Sequence, residues 1–177
     1  MMAPDMSIII ATRNRFEQLR DLLRSLAVQE THGTFIFEVL VVDNGSKDET
    51  RGVVKELSAR FPASLRYAYA EQPGKSLALN VGIQQSRGNI LVFTDDDILT
   101  TPNWLHALWA CFAEAEADAV TGRVLPLWIG GRPAWLTDEA FRQIGGMGCI
   151  DWGPRRVSTM DRRDCRWVGG NMAIRRE

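Results

Sequence analysis

Three short runs without a polar side chain, Ile8-Ile9-Ile10-Ala11, Val39-Leu40-Val41-Val42 and Ile90-Leu91-Val92, constrain this chain more than any other feature. A strand with one face in water alternates apolar and polar residues, whereas one that is apolar at every position must be covered on both faces. Helix patterns lie between the runs. Phe16, Leu19, Leu22, Leu23 and Leu26 recur at helical spacing, opposed by Glu17, Arg20, Asp21 and Arg24. Val53, Val54, Leu57 and Phe61 mark a second helix, capped by Ser46 or Asp48 and stopped by Pro62. Leu65-Arg66-Tyr67-Ala68-Tyr69 alternates as a more exposed strand, a helix runs from Ser76 to Gln85, and Pro102 opens another through Leu105, Leu108, Trp109 and Phe112. Strand-helix repetition with short links predicts an α/β fold, a mostly parallel sheet with helices on both faces.

The chain has 177 residues, a length that suits one domain, and a formal net charge of -1. No global field draws it to nucleic acid or to an anionic membrane, so any basic site must be local. Cys111, Cys149 and Cys165 show neither CxxC spacing nor a disulfide framework, which points to a reducing cytoplasm. The apolar start, Met6 to Ala11, is cut off by Arg13 and Arg15 far short of a signal sequence or a membrane span. After Val124 the texture changes. Residues 126–170, rich in Gly, Pro, Trp and Arg, predict long loops with a short helix near Asp138–Ile144, and a last strand is expected around Asn171–Ile174.

Open parallel sheets bind ligands beyond the carboxyl ends of their strands. Here those ends carry Thr12-Arg13-Asn14-Arg15, Asp43-Asn44-Gly45-Ser46 and Asp95-Asp96-Asp97. Three adjacent carboxylates repel one another and require a positive partner. Asp95 and Asp97, two residues apart, can offer hard oxygen ligands to Mg²⁺ or Mn²⁺, and no His or Cys nearby speaks for zinc. A solvated turn is the plainer alternative, with Asp97 or Thr101 capping the next helix. A phospho-receiver site would need an acidic pair after the first strand, where arginines stand. Asp43 is either an Asx turn or an acceptor for a nucleobase N–H or a ribose hydroxyl. Pro73-Gly74-Lys75-Ser76 echoes a phosphate loop, but Tyr69 stands where its first glycine belongs; Lys75 at a helix N-terminus can still hold a diphosphate. His32 and His106 read as core-edge or surface residues, and Trp104 and Trp109 as packing. Trp128, Trp135, Trp152 and Trp167 are either loop anchors or sugar-stacking faces.

In order, Ser7 to Arg15, Val41 to Thr50, Gly74 to Ile83, Gly88 to Asp97 and Gly169 to Arg176 resemble the family 2 glycosyltransferases, inverting enzymes of the GT-A fold. The resemblance implies that Thr12, Arg13 and Asn14 border the nucleotide and that Asp43 accepts from a uracil or thymine N3–H. It implies that Lys75 approaches the diphosphate and that Asp95 and Asp96 contact the ribose or the metal shell. Asp97, with Asp95, would ligate a divalent cation, Mn²⁺ or Mg²⁺. Gly169, Gly170 and Asn171 would line the donor sugar or the acceptor. The expected partners are a nucleotide-sugar donor and a carbohydrate, lipid-linked or protein acceptor, as in the assembly of cell-envelope polysaccharide. The expected setting is the cytoplasm or the inner face of its membrane. Residues 1–125 would form the donor-binding half, and 126–177 an acceptor-side segment of the same domain.

One departure stands out. Such enzymes place the general base well downstream of the G-G-N-x-A segment, so it is expected beyond Glu177, and Asp161 and Asp164 are poor substitutes. Two rivals follow: a non-catalytic nucleotide-sugar-binding module, and a nucleotidyltransferase. The latter would want a glycine-rich basic loop after the first strand, and Ala11-Thr12-Arg13-Asn14 has the charge without the glycine.

Overall fold

The computed structural model describes residues 3–115, 117–143 and 169–176. Its elements run β1 (Met6–Thr12), α1 (Phe16–Ala27), β2 (Phe37–Asp43), α2 (Thr50–Ser58), β3 (Ser64–Tyr69), α3 (Lys75–Gln85), β4 (Ile90–Asp95), α4 (Trp104–Glu114), β5 (Ala119–Thr121), α5 (Asp138–Gln143) and β6 (Met172–Arg175). They build one six-stranded sheet in the order β3-β2-β1-β4-β6-β5. β1 pairs in parallel with β2 and β4, and β2 with β3, while β6 runs antiparallel to both β4 and β5. The three apolar runs are therefore interior strands, as their lack of polar positions demands.

The strand period of two divides the core. Ile8, Ile10, Val39, Val41 and Val92 pack with Leu19, Leu22, Leu23 and Leu26 of α1, with Val53 and Val54 of α2, and with Leu105, Leu108 and Phe112 of α4. Ile9, Leu40, Val42, Leu91 and Phe93 turn to the other face, where Ala78 of α3 covers them. Close approach of α3 depends on Gly82, because a Cβ there would lie 2.4 Å from Ile9 Cγ2 and 3.2 Å from Val42 Cγ2.

At the amino ends of the strands a deeply buried glutamate takes three protein donors. Glu38, 1% exposed, accepts from Ser7 Oγ at 2.8 Å, Arg87 N at 2.8 Å and Arg66 Nη1 at 3.0 Å.

The structure departs from the sequence reading at several boundaries. α2 ends at Ser58, short of Phe61, and the chain turns through an Arg60 N–H bond to Leu57 O ahead of Pro62. The residue before a proline is driven out of the helical region, so the helix unwinds early. β5 was not expected, since three half-buried residues show no pattern. β6 was expected as a strand, but its insertion between β4 and β5 has no local signal. The short helix α5 is present through Gln143. Ile144, Cys149, Trp152, Asp161, Asp164, Cys165, Trp167 and Glu177 lie outside the described residues.

Replacing Gly82 with Ala should cost about 1–3 kcal/mol by overpacking against Ile9 and Val42. Thermal denaturation of the variant measures this, and an unchanged Tm would mean that α3 is free to move outward.

Candidate functional site

Strand register sets the site. β1 aligns Thr12 with Asp43 on one side and Ala11 with Asp95 on the other, so the ends of three neighbouring strands share one rim. β4 stops at Asp95, and Asp96 and Asp97 form the turn that follows. The partners of the triplet, one neutral hydroxyl and two cations, come from the chain itself. Thr12 Oγ1 donates to Asp96 Oδ2 at 2.8 Å. Arg15 Nη1 donates to Asp96 Oδ1 at 3.2 Å and to Asp97 Oδ2 at 2.9 Å. Lys75 Nζ, on the first residue of α3, reaches Asp95 Oδ1 at 2.5 Å. The negative charge of Asp96, more than its hydrogen bond or the charge of Asp97, raises the pKa of Arg15 above its ordinary value.

Strand alternation would put Asp95 and Asp97 on one side, yet they take different basic partners. The strand ends at Asp95, and the turn swings Asp97 toward Arg15. Nor does Asp97 cap α4. The residue at that cap, Asn103, makes no side-chain cap bond, and the Leu105 N–H is taken by Gln29 Oε1 at 2.9 Å. Gln29 Nε2 also donates to Thr101 O at 2.7 Å, so the residue just past the cap of α1 pins the chain that leaves the acidic turn.

The loop after β1 is clasped to the loop after β2. Asn14, at φ 53°, receives Lys47 N–H on Oδ1 at 2.8 Å, and its own N–H donates to Ser46 Oγ at 2.9 Å. Asp48 joins two helix starts, accepting from Phe16 N at 3.2 Å and from Thr50 N at 3.1 Å. Burial pushes the Asp48 carboxyl up, but the bonds from the Thr50 hydroxyl and from these amides outweigh it and hold its pKa low. Arg13 is exposed on the same loop.

Asp43 is buried, 3% exposed, and it steadies the turn after β2: Ser46 N–H bonds Oδ1 at 2.8 Å. The Tyr67 hydroxyl donates to Oδ2 at 2.8 Å. A carboxylate offers about four lone-pair sites, so each oxygen keeps acceptor capacity. Beside it opens a cavity of about 430 Å³ lined by Asp43, Ser46, Asp48, Arg51, Tyr67 and Tyr69. Asn44 orders the approach to α3: its Nδ2 donates to Gln72 O and its Oδ1 accepts Gly74 N, both at 2.7 Å.

The Gly169-Gly170-Asn171 run divides. Gly170 O accepts the Thr94 hydroxyl at 3.1 Å, and a Cβ on Gly170 would stand 3.6 Å from Asp95 Oδ2, so this glycine borders the acidic end of β4. Gly169 is exposed. Asn171 turns inward. Its Oδ1 takes Trp104 Nε1–H and its Nδ2 donates to Arg123 O, both at 2.9 Å. Gly122 leaves room for that amide, since a Cβ there would overlap it.

The donor chemistry of the rim fits a hard divalent cation. Mg²⁺ and Mn²⁺ take one or two carboxylates plus phosphate oxygens and need no protein cage. Among the described residues no cluster of three or more His, Cys, Asp or Glu forms such a cage. The Asp95 and Asp97 side chains are 33% and 51% exposed, against 8% for Asp96, so the first two are the more accessible carboxylates. Sequence reasoning missed the parts played by Arg15 and Tyr67. Tyr67 and Tyr69 alternate on β3, in parallel register beside Val41 and Asp43, and that aromatic pair was the available signal.

The family model described as Glycosyl transferase family 2 matches residues 7–176. Glycosyltransferase AglE of Haloferax volcanii is 35% identical over 141 residues, which are 80% of this chain and 46% of that protein. Among solved structures, S. aureus TarS 1-349 in complex with UDP-GlcNAc superposes with a TM-score of 0.57 at 32% identity, covering 69% of this chain and 37% of that one. The mannosyltransferase PcManGT from Pyrobaculum calidifontis, in complex with GDP-Man and Mn²⁺, gives 0.60 at 27% identity, covering 71% and 37%. This chain thus spans less than half the length of each.

Burial, and then the neighbouring Asp43 carboxylate, push the Tyr67 phenol up to about 12 from its ordinary 10.0. A folded pKa above the unfolded one adds stability that is complete below about pH 10 and is lost as pH rises through about 12. Tyr67→Phe should lack this loss, and at neutral pH it should cost about 1 kcal/mol for the missing hydrogen bond. Denaturant titrations of both proteins from pH 7 to 12 check the difference.

Proposed function

This chain belongs to glycosyl transferase family 2, and from that premise we propose that its strand-end rim binds a nucleoside-diphosphate sugar, of the UDP or TDP type, for metal-assisted transfer to an acceptor hydroxyl with inversion. The observation that carries the reading is the convergence of Asp43, Thr12, Arg15, Lys75 and the Asp95-Asp96-Asp97 turn on one edge. Asp43 supplies the acceptor that a uracil or thymine N3–H needs, beside a cavity edged by Tyr67 and Tyr69. Solved relatives lend support: TarS is described with UDP-GlcNAc, and PcManGT with GDP-Man and Mn²⁺.

In this reading the nucleotide lies across β1, its base toward Asp43 and its diphosphate toward Lys75 and the acidic turn, with Arg13 and Asn14 at its border. Asp97 and Asp95 would hold Mn²⁺ or Mg²⁺, which when bound supplies Lewis-acid neutralisation of the leaving diphosphate. Thr12 keeps Asp96 fixed beside them, and Lys75 adds a positive charge where negative charge develops. The acceptor hydroxyl attacks the anomeric carbon opposite the diphosphate and gives its proton to a general base. Gly169 and Gly170 border the sugar side. Residues 1–125 serve the donor and 126–177 the acceptor, be it carbohydrate, lipid-linked or protein. Among the described residues no helix is long and apolar enough to cross a membrane; a cytoplasmic site, or one at the membrane's inner face, fits this reading.

Thermal unfolding with UDP, TDP and GDP, each with and without Mn²⁺, tests it. UDP or TDP with Mn²⁺ should raise Tm most, a ligand at a hundred times its Kd adding about 2.7 kcal/mol. Asp97→Asn should remove the Mn²⁺ dependence of that shift. A protein indifferent to all three nucleotides would sink the proposal.

A further inference from the structure

We propose that Arg15 is an internal counter-ion that stands in for the divalent cation while the donor is absent, so that metal binding becomes dependent on the diphosphate. The inference rests on the reading of the acidic turn as the metal-bearing side of a nucleotide site. Its basis is one nitrogen with two obligations: Arg15 Nη1 bonds Asp96 Oδ1 at 3.2 Å and Asp97 Oδ2 at 2.9 Å. Asp96 is buried and has the Thr12 hydroxyl as a second donor, whereas Arg15 is the basic partner of Asp97. Lys75 pairs Asp95 in the same manner. Each accessible carboxylate is therefore already matched to a cation of this chain.

A dication arriving alone must take Asp97 from Arg15, and it leaves a guanidinium beside a new double charge. A dication arriving with a diphosphate meets no such obstacle. The displaced guanidinium then has phosphate oxygens to bond, and its planar fork suits them. The exchange is mechanically open. The Arg15 side chain is 51% exposed, and exposed ion pairs are weak, so a bound ligand can break it. Arg15 stands at the N-cap of α1 without making a side-chain cap bond, while Asn14 and Asp48 hold the loop backbone. Its side chain can swing and leave the loop in place. Because binding free energies are reciprocal, Arg15 must also make the diphosphate bind more tightly when metal is present.

Titration of the full chain with Mn²⁺, free ion being read from its paramagnetic resonance, is to be done with and without UDP. The wild type should hold Mn²⁺ weakly alone and more tightly with UDP. Arg15→Met should tighten Mn²⁺ binding to the nucleotide-free protein about five-fold and shrink the gain from UDP by a similar factor. Arg15→Lys, which keeps the charge, should stay near the wild type. Arg15→Gln serves if the Met variant fails to fold by circular dichroism. Unchanged or weaker Mn²⁺ binding in the neutral variants, with the UDP gain of the wild type intact, overturns the role of Arg15 alone. Equal tightening in Arg15→Lys also overturns it, because charge would not be the cause. A wild type that binds neither UDP nor Mn²⁺ overturns the nucleotide reading and this one together.

Discussion

The parallel placement of β1 between β2 and β4 is the constraint on which everything else hangs. β1 is buried on both faces, so helices must cover both sides of the sheet, and its direction sends three strand ends to one edge. Thr12, Asp43 and Asp95 meet there through backbone register alone, before any side chain chooses a partner. Gly82 permits the close seat of α3, and α3 in turn presents Lys75 to Asp95. Core packing and the chemistry of the rim are in this sense one problem.

The two ends of the sheet treat carboxylates differently. Glu38 is buried and surrounded by fixed protein donors, with little left for a ligand. At the other end, exposed side chains of Lys75 and Arg15 neutralise Asp95 and Asp97, and solvent reaches all four. A charge compensated by fixed, buried groups supports the fold; one compensated by exposed, movable groups can change partner. That difference fits the use proposed for the carboxyl edge in this member of glycosyl transferase family 2.

Much of the fold was legible in the sequence because burial on both faces writes a strong signal. The central strands follow from the apolar runs and α1, α2 and α4 from helical spacing, while α3 follows from its place after the Pro73-Gly74 turn. β5 was not legible: three residues carry no period, and their pairing with β6 joins segments about 50 residues apart in the chain. The rim residues were legible as types but not as partners. Nothing local says that Arg15 would bridge Asp96 and Asp97, or that Asn171 would turn inward to Trp104, since both contacts span long stretches of chain. Strand alternation does not run on to Asp97, because the strand gives way to a turn after Asp95, and the two carboxylates take different basic partners.

The Tyr67 hydroxyl that steadies Asp43 comes from β3, the outermost strand on its side of the sheet. An edge strand has one hydrogen-bonded neighbour and opens at lower free energy than the strands inside it. Asp43 thus ends an interior strand but takes one of its two hydrogen bonds from the margin. If Asp43 reads a base, partial fraying of that margin would blunt base recognition while the acidic turn, anchored between β1 and β4, stayed in shape. Selectivity among nucleotides would then soften on warming before affinity for a diphosphate did, a division of labour written into where each strand lies.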